Sequence, residues 1–162
     1  MTTQIVIDGQ QYDASTLTQP ASGRMFRDAW AAPVDNVIQL DATKLHALMA
    51  VKVQEERARR LQLGFSYDFG DARGVHEIGT TDADWVGWNE VINLANALID
   101  SGSGSTTIDV VTNTGPVTVT ALDWQAIMLA GAGSRQTIWA RSFALQAMDP
   151  IPEDYNADNH WS

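Results

Sequence analysis

Cysteine is absent from the 162 residues, which excludes disulfides, thiol nucleophiles and thiolate-built zinc sites together. Histidine is scarce, with three copies, His46, His76 and His160. None forms an HxxxH, HxH or HxxE pair, so a metal site would have to be assembled through space. Long apolar runs are missing as well. No window approaches the roughly 18 to 20 apolar residues of a membrane helix, and residues 1–11 lack a basic region followed by an apolar stretch, so the sequence predicts a soluble chain without a secretory signal.

Positive charge is in short supply, with 10 Lys and Arg against 20 Asp and Glu and a net charge of −10. The imbalance is one-sided. Residues 1–63 hold seven basic and seven acidic groups, whereas residues 64–162 hold three and thirteen. An acidic surface of this kind repels phosphate backbones and anionic bilayers, which argues against nucleic-acid and membrane partners and for a solubilising role.

The catalytic signatures that can be read from short spacings are also missing. There is no GxSxG elbow, no GxxxxGK phosphate loop, and no GxGxxG behind a strand. The carboxylate pairs fall at a helix start (Asp82, Asp84), on a charged helix face (Glu55, Glu56) and in the C-terminal segment (Glu153, Asp154), not across a cleft. His76 and Glu77 are neighbours on a strand and so point to opposite faces, which suits a structural or exposed role better than a base and its orienter.

The chain has enough apolar material for a core: 44% hydrophobic residues, including six Trp. At this length one domain is predicted, with room for a small appendage. Ile5, Val6 and Ile7 precede Asp8-Gly9, a hairpin signal that places Tyr12 on the packed side of residues 4–14. Pro20, Ser22 and Gly23 mark a loop. Arg24 to Trp30 interleaves Phe26 and Trp30 with two arginines. Asp28 offsets these, so a packed edge segment is preferred to a nucleic-acid patch. Val37 to Leu40 reads as a strand.

Asp41 is placed to cap a helix of about twenty residues ending near Gly64, with the run Gln54 to Arg60 on a solvated face or, alternatively, beside a coiled-coil seam. Phe65 to Phe69 and Val75 to Ile78 form a second hairpin with one aromatic face. Thr81 caps a helix whose stripe is Trp85, Trp88, Val91, Ile92, Ala95, Leu98 and Ile99, ended by Gly102. Thr107 to Val111 and Pro116 to Thr120 form a third hairpin whose valines line one face. A long helix follows from Ala121, carrying Trp124, Ile127, Met128, Gly131, Arg135, Ile138, Trp139, Ser142 and Leu145. Gly131 and Gly133 point to a kink or a close helix contact there, and Asp149-Pro150-Ile151-Pro152 stops the helix before an extended tail. Trp85, Trp88, Trp124 and Trp139 are assigned to the core on their spacing, while Trp30 and Trp161 are left open to glycan stacking.

The segment from Thr107-Ile108-Asp109-Val110-Val111 through Leu122-Asp123-Trp124 to Trp139-Ala140-Arg141-Ser142-Phe143-Ala144-Leu145 resembles an uncharacterised domain of proteins encoded near bacteriophage tail and tail-fibre genes. In that family a Thr-rich second hairpin strand runs into a long helix, and the resemblance covers roughly residues 52–148. Arg24 to Trp30, followed by Val37 to Asp41 and a helix, is similar to the opening of small phage tail-region proteins. The resemblance implies a structural or adaptor subunit at the tail tip or tail-fibre base, located in the virion after synthesis in the host cytoplasm. It implies other tail or fibre subunits as partners, oligomeric assembly, and neither nucleic acid nor membrane. It carries no catalytic, cofactor-binding or metal residues. The expected partner contacts are Tyr12, Phe26, Trp30, Ile151, Tyr155 and Trp161. A tail-fibre assembly chaperone and a host-surface glycan-binding module are the alternatives. An enzyme such as a wall hydrolase ranks behind them, and an acid facing His76 across a deep pocket would be its mark.

The expected fold class is α+β, with small hairpins packed with about three α-helices in one compact main domain plus an N-terminal hairpin. The boundaries are residues 1–40 for the hairpin and arm, 41–148 for the main domain and 149–162 for the tail.

Overall fold

The computed structural model describes residues 4–7, 10–13, 29–31, 34, 37–39 and 41–162. The Asp8-Gly9 turn, the loop at residues 16–23 and Phe26 lie outside the described residues, as do the side chains of Tyr12 and of Val37 to Gln39. The fold is α+β, as the sequence predicts. By its contacts the chain divides into two compact units. One unit comprises residues 1–56 and 141–162, the other residues 57–140.

In the first unit, β1 (Gln4–Ile7) pairs antiparallel with β2 (Gln10–Asp13) and parallel with β3 (Val37–Gln39), in the order β2-β1-β3. Tyr12 stands opposite Ile5 in the first pairing, and Ile5 is fully buried. Helix α1 (Ala42–Leu61) begins where expected. The Asp41 carboxylate accepts the Lys44 N–H at 3.1 Å and the Asp41 carbonyl accepts the Leu45 N–H at 2.9 Å, an N-cap in both senses. Met49, Val53 and Glu56 are its buried residues. Glu56 therefore corrects the expectation of a solvated run from Gln54 to Arg60, because its i, i+7 spacing from Met49 puts it on the buried stripe.

The segment after residue 148 is not an extended tail. Backbone bonds from Tyr155 to Pro152 (3.2 Å), Ala157 to Asp154 (2.8 Å) and Trp161 to Asp158 (3.0 Å) fold it into turns and a short 3-10 helix, Asp158–His160. Trp161 Nε1 donates to the Tyr155 carbonyl at 2.7 Å. Ile151 and Trp161 are buried in consequence.

The second unit holds two hairpins, the whole of one helix and the greater part of another. Strands β4 (Phe65–Asp68) and β5 (Val75–Ile78) pair Phe65 with Ile78 and Tyr67 with His76. Tyr67 and Phe69 meet edge to face, with centroids 5.1 Å apart, on the expected aromatic side. Helix α2 (Asp82–Asp100) opens with a reciprocal capping box between Thr81 and Asp84 and buries Trp88 and Ala95 on the expected stripe. Strands β6 (Thr107–Val111) and β7 (Pro116–Thr120) bring Val110, Val117 and Val119 into the core. Val111 is the exception, 72% exposed, because adjacent residues of a strand cannot share a face.

Strand β7 passes without a linker into α3 (Ala121–Gln146). Thr120 and Asp123 form a second reciprocal cap, each accepting the other's N–H at 3.0 Å. Trp124 and Ile127 are fully buried, and the Trp124 ring lies 4.9 Å from that of Trp88. Trp139 is not a core residue. It is 39% exposed, and the Arg57 guanidinium covers its ring at 4.0 Å.

The two helix glycines separate. A Cβ on Gly131 would lie 2.7 Å from Cε1 and 2.8 Å from Cζ of Phe65, so the close contact is with a ring of β4 and not with another helix. Gly133 has no atom within 4 Å of that position. Alanine at 131 gains about 1 kcal/mol of helix propensity but forces the Phe65 ring aside in a packed core, at about 1–3 kcal/mol. Gly131→Ala is therefore expected to lower the urea midpoint, and Gly131→Ala combined with Phe65→Leu to recover part of the loss.

Candidate functional site

Among the described residues, polar groups come together around Arg73 and around His76 in the second unit, and beside a cavity in the first. In the second unit the turn after β4 presents Arg73. Its Nε donates to both Asp71 carboxylate oxygens at 3.0 Å, its Nη2 to Asp71 at 2.7 Å and its Nη1 to Asp123 at 2.8 Å. The guanidinium also lies 4.1 Å from the centroid of the Phe69 ring. The same Asp123 oxygen accepts the Thr120 N–H, so the cap of α3 and the hairpin turn share one carboxylate. Hydrogen bonds from Arg73 hold both carboxyls below the usual aspartate range. With its donors engaged by two carboxylates, this arginine closes a tie between elements and is not left open for an anion.

The sign of the pH effect follows. Both folded-state values are depressed, so the stability these groups contribute is present above about pH 4, the unfolded value, and is lost as pH falls through the folded values. Arg73→Gln is expected to be less stable than the parent at pH 7, with the gap narrowing below about pH 4. Urea midpoints at neutral and acid pH check this.

His76 sits nearby in the same unit and is buried. Its Nδ1 lies 2.9 Å from Thr112 Oγ1, and that hydroxyl donates onward to the Gly115 carbonyl at 2.9 Å. The hydroxyl proton being used, the imidazole is the donor and Nδ1 carries the hydrogen. The ring also meets Phe69 edge to face at 5.6 Å. The loop that holds Thr112 is further fixed by Glu77, whose N–H donates to Thr114 Oγ1 at 2.8 Å and whose carbonyl accepts from Asn113 at 2.9 Å. His76 thus joins the two hairpins and faces a hydroxyl and a ring.

In the first unit a cavity of about 80 Å³ is lined by Leu45, His46, Met49, Pro150 and Ile151 together with the carboxylate residues Asp149 and Glu153. His46 Nε2 donates to the Met148 carbonyl at 3.2 Å. A more open hollow of about 300 Å³, lined by Ala42, Thr43, His46 and Asp149, adjoins it; the enclosed part alone is well below the roughly 300 Å³ at which pockets begin to enclose a small molecule. Lys52 bridges to Glu55 at 2.7 Å, and His160 to Asp154 at 3.0 Å.

Of the six expected contact residues, the structure brings Tyr155 and Trp161 together through the Trp161 Nε1–H bond to the Tyr155 carbonyl. Phe26 lies outside the described residues, and Tyr12 is placed only by its strand register. Trp30 and Tyr155 are half-buried. Ile151 and Trp161 are each about 5% exposed, so little of their apolar surface is open. The glycan reading loses Trp161 for the same reason. Among the described residues no group of three or more His, Asp or Glu could hold a metal ion, and no helix is long and apolar enough to cross a membrane.

Arg73 and Asp123 were not singled out by the sequence. Their signals are the Asp71-x-Arg73 spacing in a glycine-flanked turn and the Thr120-x-x-Asp123 repetition of the Thr81-x-x-Asp84 cap. No protein-family model, curated protein or solved structure matches the chain.

Proposed function

We propose that the chain is a structural or adaptor subunit of a bacteriophage tail, at the tail tip or the base of a fibre, and that it works by contact with other tail or fibre subunits. The reading rests on the resemblance carried by Thr107 to Leu145. The observation that supports it best is the Thr-rich strand β7 running into α3 with Thr120 and Asp123 capping the junction, the order of elements in the family resembled. The N-terminal pattern adds a second element in the matching order, since the segment ending at Trp30 is followed by β3 and α1.

Trp30 and Tyr155 remain candidates for partner contact in this reading, being half-buried. Phe143, 61% exposed, joins them. Quantitative mass spectrometry of purified particles tests the proposal. A reproducible low integer ratio to the tail-tube protein is the expected result. Absence from particles together with abundance in infected-cell lysate would overturn it in favour of an assembly chaperone.

A further inference from the structure

Between Leu122 and Ala140, the side of α3 turned away from the core of its unit carries no charge. The ionised residues of residues 121–140 are Asp123 and Arg135, and both turn back onto their own unit. Asp123 is held by Arg73, while Arg135 lies 5.3 Å from the Trp85 ring centroid and donates to the Leu61 carbonyl at 3.3 Å. Leu122, Ala126, Leu129, Gly133, Gln136 and Ala140 follow one another at spacings of four and three, which places them in one seam along the helix. All six are exposed, Leu122 by 53% and Leu129 by 70%. A helix face meeting water is ordinarily polar and charged, and this chain has 30 charged residues from which to furnish one.

Gly133 sharpens the point. A mid-helix glycine is about 1 kcal/mol less favourable than alanine, and among the described residues nothing lies near enough to oppose a Cβ there. Its own unit gives no reason for it. Close approach of a second backbone does.

We propose that this seam packs against the same seam of a second copy of the chain, antiparallel, about a two-fold axis level with Gly131. The arrangement is self-complementary, as a two-fold contact requires. Leu129 of one copy then meets Gly133 of the other, Leu122 meets Ala140 and Ala126 meets Gln136, so each large side chain faces a smaller one. A parallel pairing would instead set leucine on leucine and leave a gap where the two glycines meet. The face itself sets no ion against an ion: a charged partner would find no counter-charge on it, whereas a second copy meets it uncharged side to uncharged side, and the net charge of −10 on each copy opposes association elsewhere and limits its strength. The contact is one helix pair about 27 Å long, so it forms a concentration-dependent dimer rather than an obligate one. The inference stands apart from the virion assignment and holds or fails without it.

Sedimentation equilibrium of the purified chain is the test. The expected mass rises with concentration from 17.7 kDa towards twice that value, and Leu129→Glu remains at the single-chain mass with an unchanged circular dichroism spectrum. Because the chain has no cysteine, register can be read separately. On mild oxidation, a mixture of Leu129→Cys and Gly133→Cys chains links in preference to Leu122→Cys chains with one another, which an antiparallel pair holds about 27 Å apart. A single-chain mass at every concentration, association of Leu129→Glu equal to the parent, or ready self-linking of Leu122→Cys would each overturn the proposal.

Discussion

Trp124→Ala is expected to remove about 3–5 kcal/mol of folding stability, the range for deleting a large buried aromatic ring and a large share of the roughly 5–15 kcal/mol that holds a domain together. The ring is fully buried among Ile78, Val119, Ala121 and Ile127, and its plane is tilted 49° to that of Trp88. Trp88 is itself tied by its Nε1–H to the Gly79 carbonyl at 2.7 Å. It has no freedom to collapse into the space left behind, so the cavity persists and the destabilisation falls at the upper end.

Trp124→Phe makes the informative contrast. The Trp124 indole N–H is buried and, among the described residues, has no acceptor. Phenylalanine removes that unsatisfied donor, whose burial costs about 1–3 kcal/mol, and this offsets much of the lost volume. The phenylalanine variant should therefore lie within about 2 kcal/mol of the parent. Urea unfolding with an unchanged m-value measures both. An alanine variant within about 1 kcal/mol of the parent would mean that the ring is not the centre of this core.

Gly64→Ala is expected to be nearly as damaging, at about 3 kcal/mol, for a reason that lies in the backbone. Gly64 joins α1 to β4 at φ +86°, a conformation that strains an L-residue by about 1–3 kcal/mol. A Cβ there would also run into the Ile78 carbonyl oxygen, with the carbonyl carbon at 3.3 Å and Gly79 Cα at 3.5 Å. That carbonyl belongs to the end of β5, and Thr80 just beyond it bonds both the Gly64 N–H (3.0 Å) and the Leu61 carbonyl (2.8 Å). Neither side can give way without breaking the link between helix end and hairpin. Gly74 separates the two effects. It also has positive φ, 71°, but open space around it, so Gly74→Ala should show the conformational cost alone, about 1 kcal/mol. Equal losses at the two positions would show that the Ile78 contact plays no part.

Elements whose signal is local were legible in the sequence. The alternation of Phe65 to Phe69, the turn residues between the strand pairs, and the stripe from Trp85 to Ile99 each depend on neighbours a few positions away, and each appears as expected. What depends on distant neighbours was not legible. Glu56 looks like a surface charge until its place on the Met49 and Val53 stripe is seen. Trp139 fits an apolar helical spacing, yet the helix has turned its ring outward under Arg57 by that point. The segment after Pro150 has the composition of a tail, and only the bonds around Tyr155 and Trp161 fold it. The partner contacts expected at Ile151 and Trp161 came with the resemblance, which names apolar side chains without revealing what covers them.

The pairing of Trp88 with Trp124 has an optical consequence. Indoles with centroids 4.9 Å apart and planes inclined at 49° are near enough, and sufficiently skewed, for their electronic transitions to couple, giving a paired band of opposite signs in ultraviolet circular dichroism. Both rings belong to residues 57–140, so the protein carries a native spectroscopic gauge of that unit, and its melting can be followed without attaching a dye.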